Sequence, residues 1–398
     1  VKKHKKTSIA SGRLEFYMSL WQHLKYIHNI KEYLTTMKKA LLPVFISAAL
    51  LSGQAFAQVI YQDDTNKLEL GGVAVLDLAE PMWADEADLS LGRSIFNIAA
   101  ERKMANDWSI DFKLEWDQFV NSPNSGSSNF RNRLSYITIN NEDLGNLRFG
   151  KQWSAYHDVA RYMDNMVIID PDATPIYSEG ADGGFAATGR GDELIAYRYS
   201  QNGLNVSAHY GLSTDGYNAE LAEHEKVSRD YNYAAAVSYD FDFGLSLGTT
   251  YLENKVKVES GSSNIGLNDG DSQKALTFAG NYEVDGLKVA AAYTQGTKIH
   301  KAGLFGPDGK WADANAFDIY TSYLMDVGIK PFAYYSSIDF DDNNVGATGK
   351  RDIIAGGVSY AFAAGVIASV ELHSYELSEF GGAKSTENGG GFNLIYAF

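Results

Sequence analysis

Between Asp107 and Phe119 the chain alternates strictly. Ile110, Phe112, Leu114 and Trp116 occupy one face, and Asp111, Lys113, Glu115 and Asp117 the other. A period of two is that of a strand with unlike faces. Four successive charges do not suit the inside of a sandwich core, but they suit a water-filled lumen. The pattern recurs at Tyr231, Tyr233, Ala235, Val237, Tyr239 and Phe241, and at Leu276, Phe278, Gly280, Tyr282 and Val284. It is also present in the last segment, where Phe392, Leu394, Tyr396 and Phe398 share a face. Sixteen such segments can be read, over about 67–78, 91–101, 107–119, 130–140, 146–153, 191–200, 203–212, 230–242, 244–258, 272–284, 286–297, 314–325, 327–338, 350–361, 364–378 and 389–398. Each is close to the length that a tilted strand needs to cross a bilayer.

The connections alternate in length. Gln201-Asn202-Gly203, Phe243-Gly244, Asp285-Gly286, Asp326-Val327-Gly328 and Ala363-Ala364-Gly365 are tight turns, rich in the residues that accept positive φ. Between them lie long polar loops at 79–90, 120–129, 154–190, 213–229, 259–271, 298–313, 339–349 and 379–388. One rim of short turns, one of long loops and an even strand count predict an all-β fold. That fold is a sixteen-stranded antiparallel transmembrane β-barrel with both ends on the periplasmic rim. Closure removes the unpaired edges that an open sheet would expose. Aromatic residues near segment ends, such as Tyr360, Phe362 and Tyr396, predict interfacial girdles. A strand that ends on Phe398 resembles the last strand of bacterial outer-membrane β-barrels, and the resemblance implies that it is read by the barrel-insertion machinery.

Residues 37–57 read MKKALLPVFISAALLSGQAFA, with two lysines, a short apolar run and an A-x-A site. This predicts a secretory signal peptide and a mature barrel over 58–398. Residues 1–36 show neither periodicity nor caps and are read as an extension upstream of the mature protein. Beyond residue 57 the chain keeps 25 of its 34 basic and 48 of its 50 acidic residues, a net charge of −23. Such a balance argues against nucleic acid, which requires a basic surface. It suits a lining or surface that favours cations. The chain has no cysteine, which excludes a disulfide framework, a thiolate metal site and a thiol nucleophile.

The longest connection, 154–190, carries Asp158, Asp164, Asp170, Asp172, Glu179 and Asp182 beside the apolar Met163, Met166, Val167, Ile168 and Ile169. Apolar anchors on an outer loop have something to bury against only if the loop folds inward. The expectation is an inward-folded constriction loop with its carboxylates facing the water path. Bases are then expected on the wall opposite. Arg93 is on the polar parity of its segment, and Arg131 and Arg133 share the face opposite Leu134 and Tyr136. Arg190 opens the sixth segment. Acid on the loop and base on the wall would set a transverse field across a narrow gap. The histidines His157, His209, His224, His300 and His373 are scattered and form no metal-binding or catalytic motif, so no cofactor and no enzymatic activity are implied.

Several segments resemble the trimeric general diffusion porins of Gram-negative outer membranes, over essentially all of 58–398. VIYQDDTNKLELGG is similar to the opening strand of that family, and LRFGKQWSAYHDV to the strand leading into its constriction loop. The resemblance places Asp164 of DVARYMDNM at the acidic side of the constriction. It places Arg93 of LGRS, Arg133 of NFRNRLSY and Arg190 of ATGRGDELIAYRY at the basic side, with Lys151 where the family usually carries Arg. The family's Pro-Glu-Phe-Gly-Gly-Asp-like turn is absent, and Asp170 or Asp172 of DPDATP takes the role of its second carboxylate. Val73 stands nearest a wall lysine of the family. The resemblance implies a homotrimer among outer-membrane lipids and lipopolysaccharide that passes small hydrophilic solutes. Fewer wall bases and more loop acids imply a cation preference. The alternatives are a sugar-type specific channel and a surface receptor or adhesin barrel.

Overall fold

The computed structural model describes residues 57–80, 88–90, 93–119, 130–177, 182–214, 227–259, 266–302, 310–341, 348–379 and 381–398. The signal peptide and the upstream extension, apart from Ala57, lie outside the described residues, as do most of the long-loop tips. The first strands are β1 (Gln58–Gln62), β2 (Asn66–Glu80), β3 (Asp88–Ser90), β4 (Arg93–Lys103), β5 (Trp108–Phe119) and β6 (Phe130–Asn141). They are followed by β7 (Gly145–Trp153), β8 (Arg190–Gln201), β9 (Leu204–Gly211), β10 (Val227–Asp240), β11 (Leu245–Val258) and β12 (Ser272–Val284). The last are β13 (Leu287–Lys301), β14 (Trp311–Tyr323), β15 (Ile329–Phe340), β16 (Thr348–Ala363), β17 (Val366–Glu379) and β18 (Lys384–Ala397).

From β4 to β18 each strand pairs antiparallel with the next, and β2 pairs with both β4 and β18. These sixteen staves close the barrel. The two further strands are local: β3 runs beside the end of β2, and β1 forms a hairpin with its start. Phe398 and Gly72 exchange both backbone hydrogen bonds at 3.0 Å. Gln58 then pairs with Leu70, so β1 prolongs the stave of β18 along the same edge of β2.

Hairpin chemistry sets the short rim. Asn202 (φ 51°) with Gly203 (φ 82°), and Asp285 (φ 48°) with Gly286 (φ 83°), supply the paired positive φ values of tight two-residue turns. Strand parity then fixes the faces. Phe112, Ile137, Phe149, Tyr197, Phe278 and Phe317 are exposed on the outside, while Lys113, Glu115 and Asp117 are buried inside. At the short-turn ends of β10, β16 and β18, Tyr239, Phe241, Tyr360, Phe362 and Tyr396 are exposed. Among them Tyr239 stacks edge-on against Phe241 at 4.8 Å, and Tyr360 against Phe362 at 4.7 Å.

The inner wall is not uniformly polar. Between β10 and β15 several inward positions are small or aromatic: Ala236, Ala279, Ala290, Ala292, Phe332 and Tyr334 belong to one buried cluster with Val159 and Met163 of the connection after β7. A small residue at every second position leaves room for a segment to lie against the wall.

Candidate constriction site

The connection between β7 and β8 is tied at its neck, where Ser154 N–H donates to the Gly189 carbonyl at 2.9 Å. It begins with one helical turn, α1 (His157–Ala160), and a 3-10 turn, η1 (Arg161–Met163). Tyr156 meets the Thr277 hydroxyl on β12 at 2.7 Å. Further on, Val167, Ile168 and Ile169 donate three backbone N–H groups to the Glu371 carboxylate on β17, at 3.0, 3.1 and 3.1 Å. Thr174 donates its N–H and hydroxyl to Asp318 on β14 at 3.1 and 3.0 Å. The segment is therefore an arch inside the lumen, anchored on the far wall and returning to β8. Its apolar anchors bury against the small inward residues, as the sequence pattern predicts.

The basic wall is aimed by bulges. Glu115 pairs with Leu134 and Trp116 with Asn132, so Arg133 is an extra residue in β6. The bulge turns Arg133 and Leu134 to the same side and corrects the expected parity. Tyr136 also faces inward, beneath the Arg148 guanidinium at 4.1 Å. Arg133 is 1 % exposed and donates to Glu115 at 2.7 Å, while Lys113 pairs with the same carboxylate at 2.9 Å. A second irregularity lies next door. Gly150 pairs with Leu194 and Gln152 with Gly191, which sets Lys151 against Asp192 and Glu193. Bulges re-aim side chains in this way beside functional sites.

Arg190 opens β8, 1 % exposed, and grips Asp182 through Nε at 2.9 Å and a terminal nitrogen at 2.5 Å. Lys151 reaches Asp182 at 3.2 Å and Asp192 at 3.1 Å. Arg190 and Arg133 lie 4.6 and 5.7 Å from the Trp153 ring, and the His157 ring stacks on that indole at 3.9 Å. Burial alone would raise the Asp182 carboxyl. The charges of Arg190, Lys151 and Arg131 outweigh it and hold the group well below the usual carboxylate range. Burial pushes His157 down, against the pull of Asp164, and so favours the neutral ring where it stacks.

Arg133, Arg190 and Lys151 thus converge around Trp153. Arg93 starts β4 opposite Phe119, and its side chain lies outside the described residues. The acids divide. Asp164 closes η1, is buried and accepts from the Tyr177 hydroxyl at 2.9 Å. Asp172 is buried and locked to Arg351 of β16 by two hydrogen bonds, at 2.7 and 2.8 Å. Asp170 is exposed on the arch. The partners of the wall bases are mostly wall acids, Glu115 and Asp117, together with the loop's Asp182. The sequence reading missed Glu371, Asp318, Arg351 and the loop-holding histidines. His209 accepts from Ala155 N–H at 3.0 Å, and His300 lies 3.0 Å from the Ala173 carbonyl. For Asp318 the available signal was a charge on the face that carries Ala312, Ala314 and Ala316.

A closed barrel of sixteen staves, apolar outside and narrowed by an internal arch, is a transmembrane channel of the outer-membrane type. The comparisons make the assignment specific: a family profile described as Gram-negative porin matches residues 45–379, and the chain belongs to that family. Outer membrane porin C of Serratia marcescens is 26 % identical over 330 residues, covering 79 % of this chain and 84 % of the relative. Outer membrane porin N of Escherichia coli (strain K12) is 25 % identical over 318 residues, covering 74 % and 78 %. Among solved structures, Salmonella typhi OmpF in complex with daunomycin superposes with a TM-score of 0.69 at 17 % identity, over 86 % of this chain and all of that one. An anion-selective porin from Comamonas acidovorans gives 0.62 at 14 % identity, over 84 % of this chain and all of that one. The chain is an outer-membrane channel for the passive diffusion of small hydrophilic solutes.

Proposed function

We propose that this channel prefers cations and that its narrowest passage runs between the arch and the β4–β8 wall. Asp164, Asp170 and Asp172 form its acidic side, and Arg93, Arg133, Arg190 and Lys151 its basic side. One observation carries the preference. Five bases of this wall, Lys113, Arg131, Arg133, Lys151 and Arg190, are each within 3.2 Å of a carboxylate, while Arg148 bonds the Thr138 hydroxyl and lies over Tyr136. Asp170 is an exposed carboxylate on the arch. A wall whose bases are mostly paired with carboxylates, in an acidic chain, leaves a lumen whose potential attracts cations. The barrel itself does not set the sign, since a structural neighbour of the same fold is described as anion-selective.

Three histidines have structural places, which supports a channel without catalysis: His157, His209 and His300 hold the arch or its neck, while His224 lies outside the described residues. We further assign removal of residues 37–57 as a signal peptide and assembly as a homotrimer. The barrel would be surrounded by outer-membrane lipid and lipopolysaccharide, with Phe398 presented to the insertion machinery. Trimeric assembly is supported by a Vibrio cholerae OmpT structure described as a trimer form, with a TM-score of 0.59.

The reversal potential across a planar bilayer under a potassium chloride gradient tests the preference. The sign should report potassium over chloride, and Asp170→Asn should move it towards zero. A potential favouring chloride would refute the proposal.

A further inference from the structure

Below the arch, towards the short-turn rim, the inward faces of β13 to β17 carry a second polar patch. Lys288 of β13 pairs across to Ser322 of β14. Lys330 of β15 pairs with Ser359 of β16, and Ser359 with Ser369 of β17, whose hydroxyl donates to it at 2.9 Å. Lys330 is only 9 % exposed, and among the described residues it makes no hydrogen bond and no ion pair. Its Nζ is not among the buried unpartnered atoms, so the stem is packed against the wall while the ammonium reaches the water of the lumen. A cation held on a packed stem, open to the lumen and without a protein partner among the described residues, can pair with an anionic group that passes.

Two neighbouring donors point the same way. Tyr320, one step up the inward face of β14, has a buried hydroxyl without a hydrogen-bond partner among the described residues. Arg161 is exposed on η1, which packs against β12, β13 and β14, and its Nε donates to the Asp158 carbonyl at 3.2 Å. It lies within electrostatic range of Lys288. Three carboxylates also reach this region. Glu283 pairs across to Lys288 near the β12–β13 turn, Asp164 is engaged by Tyr177, and Glu371, in electrostatic range of Tyr320, is held by the N–H groups of the arch. Two of the three are thus already engaged away from Lys330.

We infer that this patch is a second solute subsite, on the periplasmic side of the constriction, which takes a carboxylate or phosphate group. Lys330 is its central donor, with Lys288, Tyr320 and the serine hydroxyls around it. The inference rests on the channel reading and extends it. Solutes carrying both charges meet cation-attracting carboxylate at the arch and an anion site beyond it. The passage therefore favours small zwitterions and anions paired with a cation over neutral solutes of the same size.

The test uses the full protein in planar bilayers. Inorganic phosphate or succinate is added to the short-turn side at fixed potassium chloride, and the concentration that half-reduces the current is measured. Both anions should reduce it, and Lys330→Met should weaken the effect about tenfold, the loss of one charge-assisted contact. Lys330→Gln serves as a second variant should the first fail to form a barrel. Lys301→Met, which removes a lysine packed over Trp311 near the other rim, should match the wild type. Equal reduction in wild type and the Lys330 variants overturns the inference, as does a conducting wild type indifferent to both anions. The reversal potential in potassium chloride alone is read separately, so failure of the cation preference is a different result.

Discussion

Asp172 and Arg351 stand 179 residues apart in sequence, yet both are buried and joined by two hydrogen bonds. Such a pair is a poor source of net stability, because both charges must be desolvated. Its use here is placement: it fixes where the arch meets the far wall. Asp182 does the same at the near wall, and its behaviour is testable through pH. The carboxyl is depressed in the folded chain, so its stabilisation is fully present above the ordinary Asp value of about 3.9. It is lost only as pH falls through the lower, folded value. Asp182→Asn removes the carboxylate that Arg190 and Lys151 share and should cost about 3 kcal/mol at neutral pH. Melting temperatures in detergent should show a constant gap between wild type and variant from pH 7 to 5, closing only in strong acid. A gap already closed at pH 5 would contradict the assignment.

Among the elements, the staves were legible because their chemistry is periodic. Ile110 to Asp117 states its two faces outright, and Asn202-Gly203 and Asp285-Gly286 state their turns. The inward fold of the arch was legible too, from Met163, Met166 and the run Val167–Ile169. Its anchors were not. Nothing local to Glu371 indicates that it accepts three N–H groups from residues about 200 positions away. Nor does parity survive the bulge at Arg133, which carries Tyr136 to the inner face. The alternation of alanines at Ala290, Ala292, Ala314 and Ala316 was a visible sign of a packed inner wall, masked by the expectation of a wet one. Glu371→Gln should loosen the arch where the carboxylate now holds it. Hydrogen bonds to a charged acceptor contribute about 1.5–3 kcal/mol, so the barrel should persist while single-channel currents become larger and noisier. Unchanged current and noise would remove Glu371 from the account.

For the whole molecule, an apolar exterior and a closed hydrogen-bond ladder solve the problem of the bilayer, and the arch turns a wide tube into a filter. The absence of cysteine from the sequence makes that claim directly measurable. Asp170→Cys introduces one thiol at an exposed point of the arch, and a charged thiosulfonate reagent applied during a planar-bilayer recording reports its position. If the arch narrows the current path, conductance falls in discrete steps as the reagent reacts, by a larger fraction for a bulkier reagent. A thiol that reacts fully while the current stays unchanged would contradict the account.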